Sequence, residues 1–269
     1  MDSAASVTPE ERRHALEQIA AEVAVCTRCP LHTGRTLAVP GEGHPDTEVV
    51  FVGEGPGYNE DQQGRPFVGR AGDLLVKLLG SIGWRRQDVF ITNVVKCRPP
   101  DNRDPEPDEI AACAPYLARQ LEVLDPALLV TLGRHSMGRF MPGARISQAH
   151  GTVHPVDPAT GARDALVLAM YHPAAALRTP AIETESYRDI ATVPGVLLEA
   201  RAKRAEHAEA RAADLMAPAE PEPATAPEPE PATEPLPESE PVAVGAAVTT
   251  RLSDEPGDGD IDTDQLQLF

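Results

Sequence analysis

Apolar residues gather at four places along the chain: Val49–Val52, Val89–Val95, Ala127–Leu132 and Leu166–Tyr171. Each run is short, has few polar interruptions and is bounded by glycine, proline or charged residues, which predicts strands covered on both faces. Between them the spacing changes. Leu74, Leu75, Leu78 and Leu79 recur at helical intervals within Ala71–Ile82, Asp108–Leu124 has the same character, and a short helix is expected after Gly133. A further helix is predicted over Thr8–Val25, with Thr8 as N-cap, Pro9 at the first position and Glu11 at the third. Strands alternating with helices predict an α/β domain around a central, mainly parallel four-stranded sheet.

Charge divides the chain in two. Of a net −18, sixteen acidic against two basic residues lie between Glu206 and Phe269, so a net −14 belongs to that stretch and −4 to residues 1–205. Pro218–Pro241 is a Pro/Glu/Ala repeat without an aromatic residue, with too little to bury to offset the entropy of ordering. The expectation is a folded domain over 1–205 and an extended acidic tail over 206–269. No apolar run approaches the ~20 residues that span a bilayer, and the N-terminus has no apolar leader. A monomeric, cytoplasmic protein is expected, with its cysteines reduced.

Candidate chemistry falls where the strands end. Gly53, Gly55 and Gly57 follow the first run around Pro56, with Glu54, Glu60 and Asp61 close behind, and Gly64, Phe67, Gly69 and Gly72 prolong the loop to the next helix. No Gly-Lys-Ser/Thr ends this loop, so it is not a phosphate-binding P-loop, and it fits the dinucleotide fingerprint poorly. Asn93 lies near the end of the second run and His172 directly after the fourth. In open parallel sheets ligands bind beyond the carboxyl ends of the strands, so Glu54, Asn93 and His172 can share one crevice. His135, His150 and His154 read as surface or structural. Four cysteines complete the inventory: Cys26 and Cys29 in a Cys-x-x-Cys pair after the first helix, then Cys97 and Cys113. In a reducing compartment they read as a four-thiolate metal site, for zinc or for an iron–sulfur cluster.

Four motifs in order, Gly53–Gly57 (GEGPG) with the Glu60-Asp61 pair, GRPFVGRAG, TNVVKCRPPDNRDP and YHPAA, resemble the type 4 uracil-DNA glycosylases of bacteria and archaea. The likeness runs from about Ala20 to Arg201. It implies a uracil-DNA-glycosylase-like three-layer sandwich, with Cys26, Cys29, Cys97 and Cys113 holding a [4Fe–4S] cluster. It also implies hydrolysis of the N-glycosidic bond of a flipped-out uracil in single- or double-stranded DNA, the first step of base excision repair. By the same resemblance Phe67 stacks on the base, Asn93 pairs with its O4 and N3–H, and His172 donates to O2, with Glu54 and Gly55 also lining the uracil site. Glu54, Glu60 and Asn102 are the candidates for the carboxylate and the aligned water, Glu60 either aligning it or excluding the 5-methyl group of thymine. The family's first motif is usually Gly-Glu-Ala-Pro-Gly; here Gly55 replaces the alanine. Leu177 and Arg178 resemble the wedge that fills the gap left by the base. Arg65, Arg70, Arg98 and Arg103 are candidates for phosphate contacts. The terminal Gln265-Leu266-Gln267-Leu268-Phe269 resembles the QLxLF peptide that docks repair proteins on the bacterial sliding clamp, through Gln265, Leu266, Leu268 and Phe269. Two other readings stay open: an iron–sulfur redox or sensor protein, and a non-catalytic module that binds damaged DNA.

Overall fold

The computed structural model describes residues 7–216. The repeat and the C-terminal QLQLF lie outside the described residues. In chain order the elements are α1 (Pro9–Ala24), β1 (Glu42–Gly43), β2 (Val49–Gly53), α2 (Tyr58–Gln63), α3 (Arg70–Ser81), β3 (Phe90–Asn93), α4 (Pro107–Leu124), β4 (Leu128–Leu132), α5 (Arg134–Phe140), α6 (Ile146–Ala149), β5 (Val153–Pro155), β6 (Leu166–Met170), α7 (Pro173–Ala176) and α8 (Pro180–Met216). Local chemistry sets the first boundary. The Thr8 hydroxyl accepts from the Glu11 N–H at 3.2 Å while the Glu11 carboxylate accepts from the Thr8 N–H at 2.8 Å, the reciprocal cap expected for α1.

The four expected strands form the parallel centre of a sheet ordered β1-β3-β2-β4-β6-β5. The sheet has six strands rather than four, because β1 pairs antiparallel with β3 at one edge and β5 antiparallel with β6 at the other. Both additions are too short to carry a pattern, and short strands, one of them containing Pro155, are how sheets blunt their edges. Every residue of β2, β3, β4 and β6 is buried. Along β2, Val50 and Val52 pack into the layer that includes α1 and α4, while Val49 and Phe51 pack into the layer that includes α3 and α8. Three layers follow from this two-residue period.

The last helix departs from expectation. α8 runs past Ala205, where the domain was expected to end, to Met216. The residues beyond Ala205 are tied back by charge: His207 Nδ1 lies 3.0 Å and Arg211 Nη1 2.7 Å from the Asp164 carboxylate, and just before them Arg204 pairs with Asp125.

β2 has β3 on one side and β4 on the other, and the chain leaves the carboxyl ends of these strands and of β6 on the same edge of the sheet. That edge is the topological switch point at which parallel sheets open a crevice.

Candidate active site

A cleft of about 600 Å3 opens at this edge. Glu54, Gly55, Glu60, Phe67, Asn93, Asn102, His172 and Arg178 all line it, although they come from the ends of β2, β3 and β6 and the segments that follow them. Leu177, the other half of the expected wedge, stands exposed beside Arg178 at the end of α7.

Asn93 is the most constrained of these residues. It ends β3 opposite Gly53 of β2, is 1% exposed, and its side-chain Oδ1 has no hydrogen-bond partner among the described residues. A buried acceptor left unpaired costs about 1–3 kcal/mol, so the position makes sense only when a donor enters the cleft. Its backbone is pinned: Lys96, fully buried, donates from Nζ to the Asn93 carbonyl at 2.8 Å, to Thr92 Oγ1 at 2.6 Å and to Gln120 Oε1 at 2.7 Å. Burial pulls the Lys96 ammonium down to about 8. Gly53 is required here. A Cβ at that position would lie 2.4 Å from Asn93 Oδ1 and 2.7 Å from the Phe67 ring, so the missing side chain lets the amide and the aromatic ring meet.

Phe67 stacks against His172 with ring centroids 5.6 Å apart and planes 30° from parallel. His172 caps α7: its Nδ1 accepts from the Ala174 N–H at 3.1 Å. The ring proton therefore sits on Nε2, leaving one N–H to donate. Burial first, then the neighbouring Arg178 cation, brings His172 down to about 4, against a weaker opposite pull from Glu60. At neutral pH it is an uncharged donor.

The two expected carboxylates differ. Glu60 is engaged on both oxygens, Oε2 accepting from the Gly57 N–H at 3.2 Å and Oε1 from the N–H groups of Val68 and Gly69 at 3.0 and 3.2 Å. It fastens the glycine-rich loop on both sides of Phe67. Glu54 makes no such bonds; burial raises it above the usual carboxylate range, Asp104 adds to that, and His135 and Arg134 oppose it. His135 Nε2 lies 3.3 Å from Asp104 and 3.9 Å from Glu54, and Arg134 pairs with Asp104. His135 reads as surface or structural in the sequence, and Arg134 carries no signal of its own there, yet both stand against Asp104 at the cleft. A positional signal was available, since both follow Gly133 at the end of β4, where the rule that singled out Glu54, Asn93 and His172 also applies.

Asn102 lies exposed on the cleft rim with a left-handed backbone, φ +54, and its Oδ1 accepts from Arg98 Nε at 2.7 Å. Arg98 also sits 5.2 Å from the ring centroid of exposed Tyr58. Of the other arginines considered for phosphate, Arg65 is bridged to Glu42 and Arg103 bidentately to Glu109, while Arg70 is exposed at the start of α3.

Cys26, Cys29, Cys97 and Cys113 line a second, small site between the end of α1, the segment after β3 and α4. None is in a disulfide. Burial raises Cys29 and Cys97, and raises Cys113 to about 11, so without a cation these thiols stay neutral. Donors already point at the sulfurs: Arg35 Nη1 reaches Cys97 Sγ at 3.2 Å and the Lys96 N–H reaches Cys113 Sγ at 3.3 Å. Four sulfurs lining a single cavity, with donors poised for thiolates, fit a four-thiolate metal or cluster site.

Comparison with known proteins agrees with this geometry. A family described as the uracil DNA glycosylase superfamily matches residues 40–192. A type-4 uracil-DNA glycosylase of Sulfurisphaera tokodaii is 50% identical over 171 residues, covering 61% of this chain and 77% of that protein. Its counterpart in Thermotoga maritima is 48% identical over 167 residues, 62% and 85% of the two chains, and that of Archaeoglobus fulgidus 46% identical over 179 residues, 65% and 89%. The chain therefore belongs to the type-4 uracil-DNA glycosylases of the uracil DNA glycosylase superfamily.

Proposed function

We propose that this protein removes uracil from DNA by hydrolysing its N-glycosidic bond, leaving an abasic site, and that the cleft at the carboxyl edge of the sheet is where it does so. One observation carries the assignment of the site: a buried amide with an unpaired acceptor, held beside an aromatic ring and an uncharged histidine donor. The base must leave the DNA stack to reach it. Phe67 then covers one face of the ring. Asn93 Oδ1 accepts from uracil N3–H and the amide NH2 donates to O4, whereas cytosine presents the reverse pattern and is left with both groups unpaired. As the bond breaks, electrons stay with the base, and His172 Nε2–H stabilises the charge growing on O2 without giving up its proton. The sugar becomes cationic in the same step. Glu54, with Asp104 and His135 behind it, is the carboxylate that offsets this charge and takes a proton from the attacking water. Glu60 keeps the loop in place around Phe67, and Asn102 helps to hold the rim. Leu177 and Arg178 stand where a wedge enters the stack.

The same reading gives the second site a [4Fe–4S] cluster held by Cys26, Cys29, Cys97 and Cys113. When bound, it supplies a cross-link between segments and a cationic centre that turns buried thiols into thiolates. We also propose a monomeric, cytoplasmic repair enzyme whose C-terminal QLQLF docks on the sliding clamp. Among the described residues no helix is long and apolar enough to cross a membrane.

The test is direct. Purified protein is incubated with single-stranded and duplex oligonucleotides carrying one uracil, and abasic sites are cleaved with alkali. Strand scission is expected with uracil and not with thymine or cytosine, and both Asn93→Ala and His172→Ala should lower kcat/KM by at least about 100-fold. Scission unaffected by either substitution would remove the site assignment.

A further inference from the structure

We infer that Arg86, which does not reach the cleft, is a positioning residue for uracil recognition: its guanidinium clamps the backbone of Phe67 and so fixes the ring that covers the base. The inference rests on Phe67 being the uracil platform. Phe67 has φ +51, a left-handed conformation that a bulky residue keeps only when its surroundings impose it. Two contacts impose it here. On one side Gly72 of α3 is packed so closely that a Cβ added there would lie 1.9 Å from the Phe67 carbonyl oxygen. On the other, Arg86 Nη1 donates to that same oxygen at 3.0 Å and Nη2 donates to the Pro66 carbonyl.

The fork has its own support. Arg86 Nε donates to Glu42 Oε1 at 2.8 Å, and Glu42 Oε2 accepts from Arg65 Nε at 2.7 Å. Glu42 stands on β1, which is paired to β3, and Arg86 begins the turn that leads into β3. The sheet that carries Asn93 thus also carries, through its edge strand, the device that aims Phe67. Arginine suits the task because a planar fork spans two successive carbonyls while its third edge meets a carboxylate; a lysine ammonium offers no such plane. This also gives the two-residue strand β1 a use: it holds Glu42 in register with the Arg86 turn.

The experiment uses the full chain and a uracil oligonucleotide, reading kcat, KM, inhibition by free uracil and Tm for Arg86→Ala, Arg86→Lys, Glu42→Gln, Phe67→Ala and the Arg86→Ala/Phe67→Ala double variant. Arg86→Ala is expected to lower kcat/KM about tenfold, with weaker inhibition by uracil as the signature of a misplaced platform, and Arg86→Lys to restore only part of it. The double variant should be no worse than Phe67→Ala, because the clamp has nothing left to aim. If Arg86→Ala does not fold, Glu42→Gln carries the test, with a severalfold loss that vanishes in the Phe67→Ala background. Full kcat/KM and unchanged uracil inhibition in Arg86→Ala, or losses that multiply in the double variant, would overturn the clamp while Phe67→Ala remains impaired. An unimpaired Phe67→Ala would instead remove the platform reading, and the clamp with it.

Discussion

Glu54 and His172 face the same cleft with opposite perturbations, and each makes a prediction about pH. Burial, with Asp104 adding to it, raises Glu54 above its ordinary value; on its proposed role as the ionised carboxylate, the rate should fall as pH drops through a value above about 4.5. Glu54→Gln should lower kcat and abolish this acid limb. His135→Ala should move the limb higher, by removing a group that favours the carboxylate. His172 is brought down to about 4 by burial and Arg178, so it stays neutral from pH 5 to 8 and adds no limb there. Its signature is in stability. Between about pH 6.5 and 4 the unfolded chain binds a proton at this residue and the folded chain does not, so stability present above 6.5 is lost as pH falls through that window. Urea melts across the window should show a shallower fall for His172→Asn than for the unsubstituted protein.

At the level of elements, the cap on α1 offers a test away from the cleft. Thr8→Ala removes the side-chain acceptor of a reciprocal cap and should cost about 1 kcal/mol, read as a lower Tm with kcat unchanged. Gly55→Ala would restore the residue more usual in the motif, yet a Cβ there lies 2.7 Å from the Val95 Cγ2 methyl, so in this chain it should lower stability or displace the segment after β3. Such a contact could not be read from the motif. What was legible followed burial on both faces: β2, β3, β4 and β6 stand out as apolar runs, and the strand-end rule brought Glu54, Asn93 and His172 to one cleft. What was not legible depended on partners distant in sequence. β1 and β5 exist because β3 and β6 offer them an edge. α8 buries Ile190, Val193, Val196, Leu197 and Ala200 among many charges and around Pro194, and holds its far turns through Asp125 and Asp164. Glu60 reads as a catalytic candidate in the sequence, and only the folded loop reveals Oε1 accepting from the Val68 and Gly69 N–H groups and Oε2 from the Gly57 N–H.

At the scale of the whole molecule, the thiol site joins the N-terminal helix to the sheet. On the proposed cluster, Cys113→Ser, or treatment with a chelator under reducing conditions, should lower Tm and weaken DNA binding, with the loss of bound iron measured alongside. A variant that keeps its melting temperature without iron would overturn a structural role. The C-terminal peptide belongs to this scale too: residues 262–269 should bind the cognate clamp in an anisotropy titration, and Leu268→Ala with Phe269→Ala should abolish it. The order of the cysteines along the chain has a consequence for biogenesis. Cys26 and Cys29 leave the ribosome before β2 and α3, but Cys97 and Cys113 appear only after β3 and within α4. A nascent chain thus exposes a two-thiol half-site throughout the synthesis of the glycine-rich loop, open to zinc or to oxidation, and the complete four-sulfur set exists only once Cys113 of α4 has emerged. The four sulfurs are thus all present before β4, β6 and His172 have been made, and on the proposed [4Fe–4S] cluster, overexpression without matched iron–sulfur assembly should accumulate protein carrying zinc or a Cys26–Cys29 disulfide.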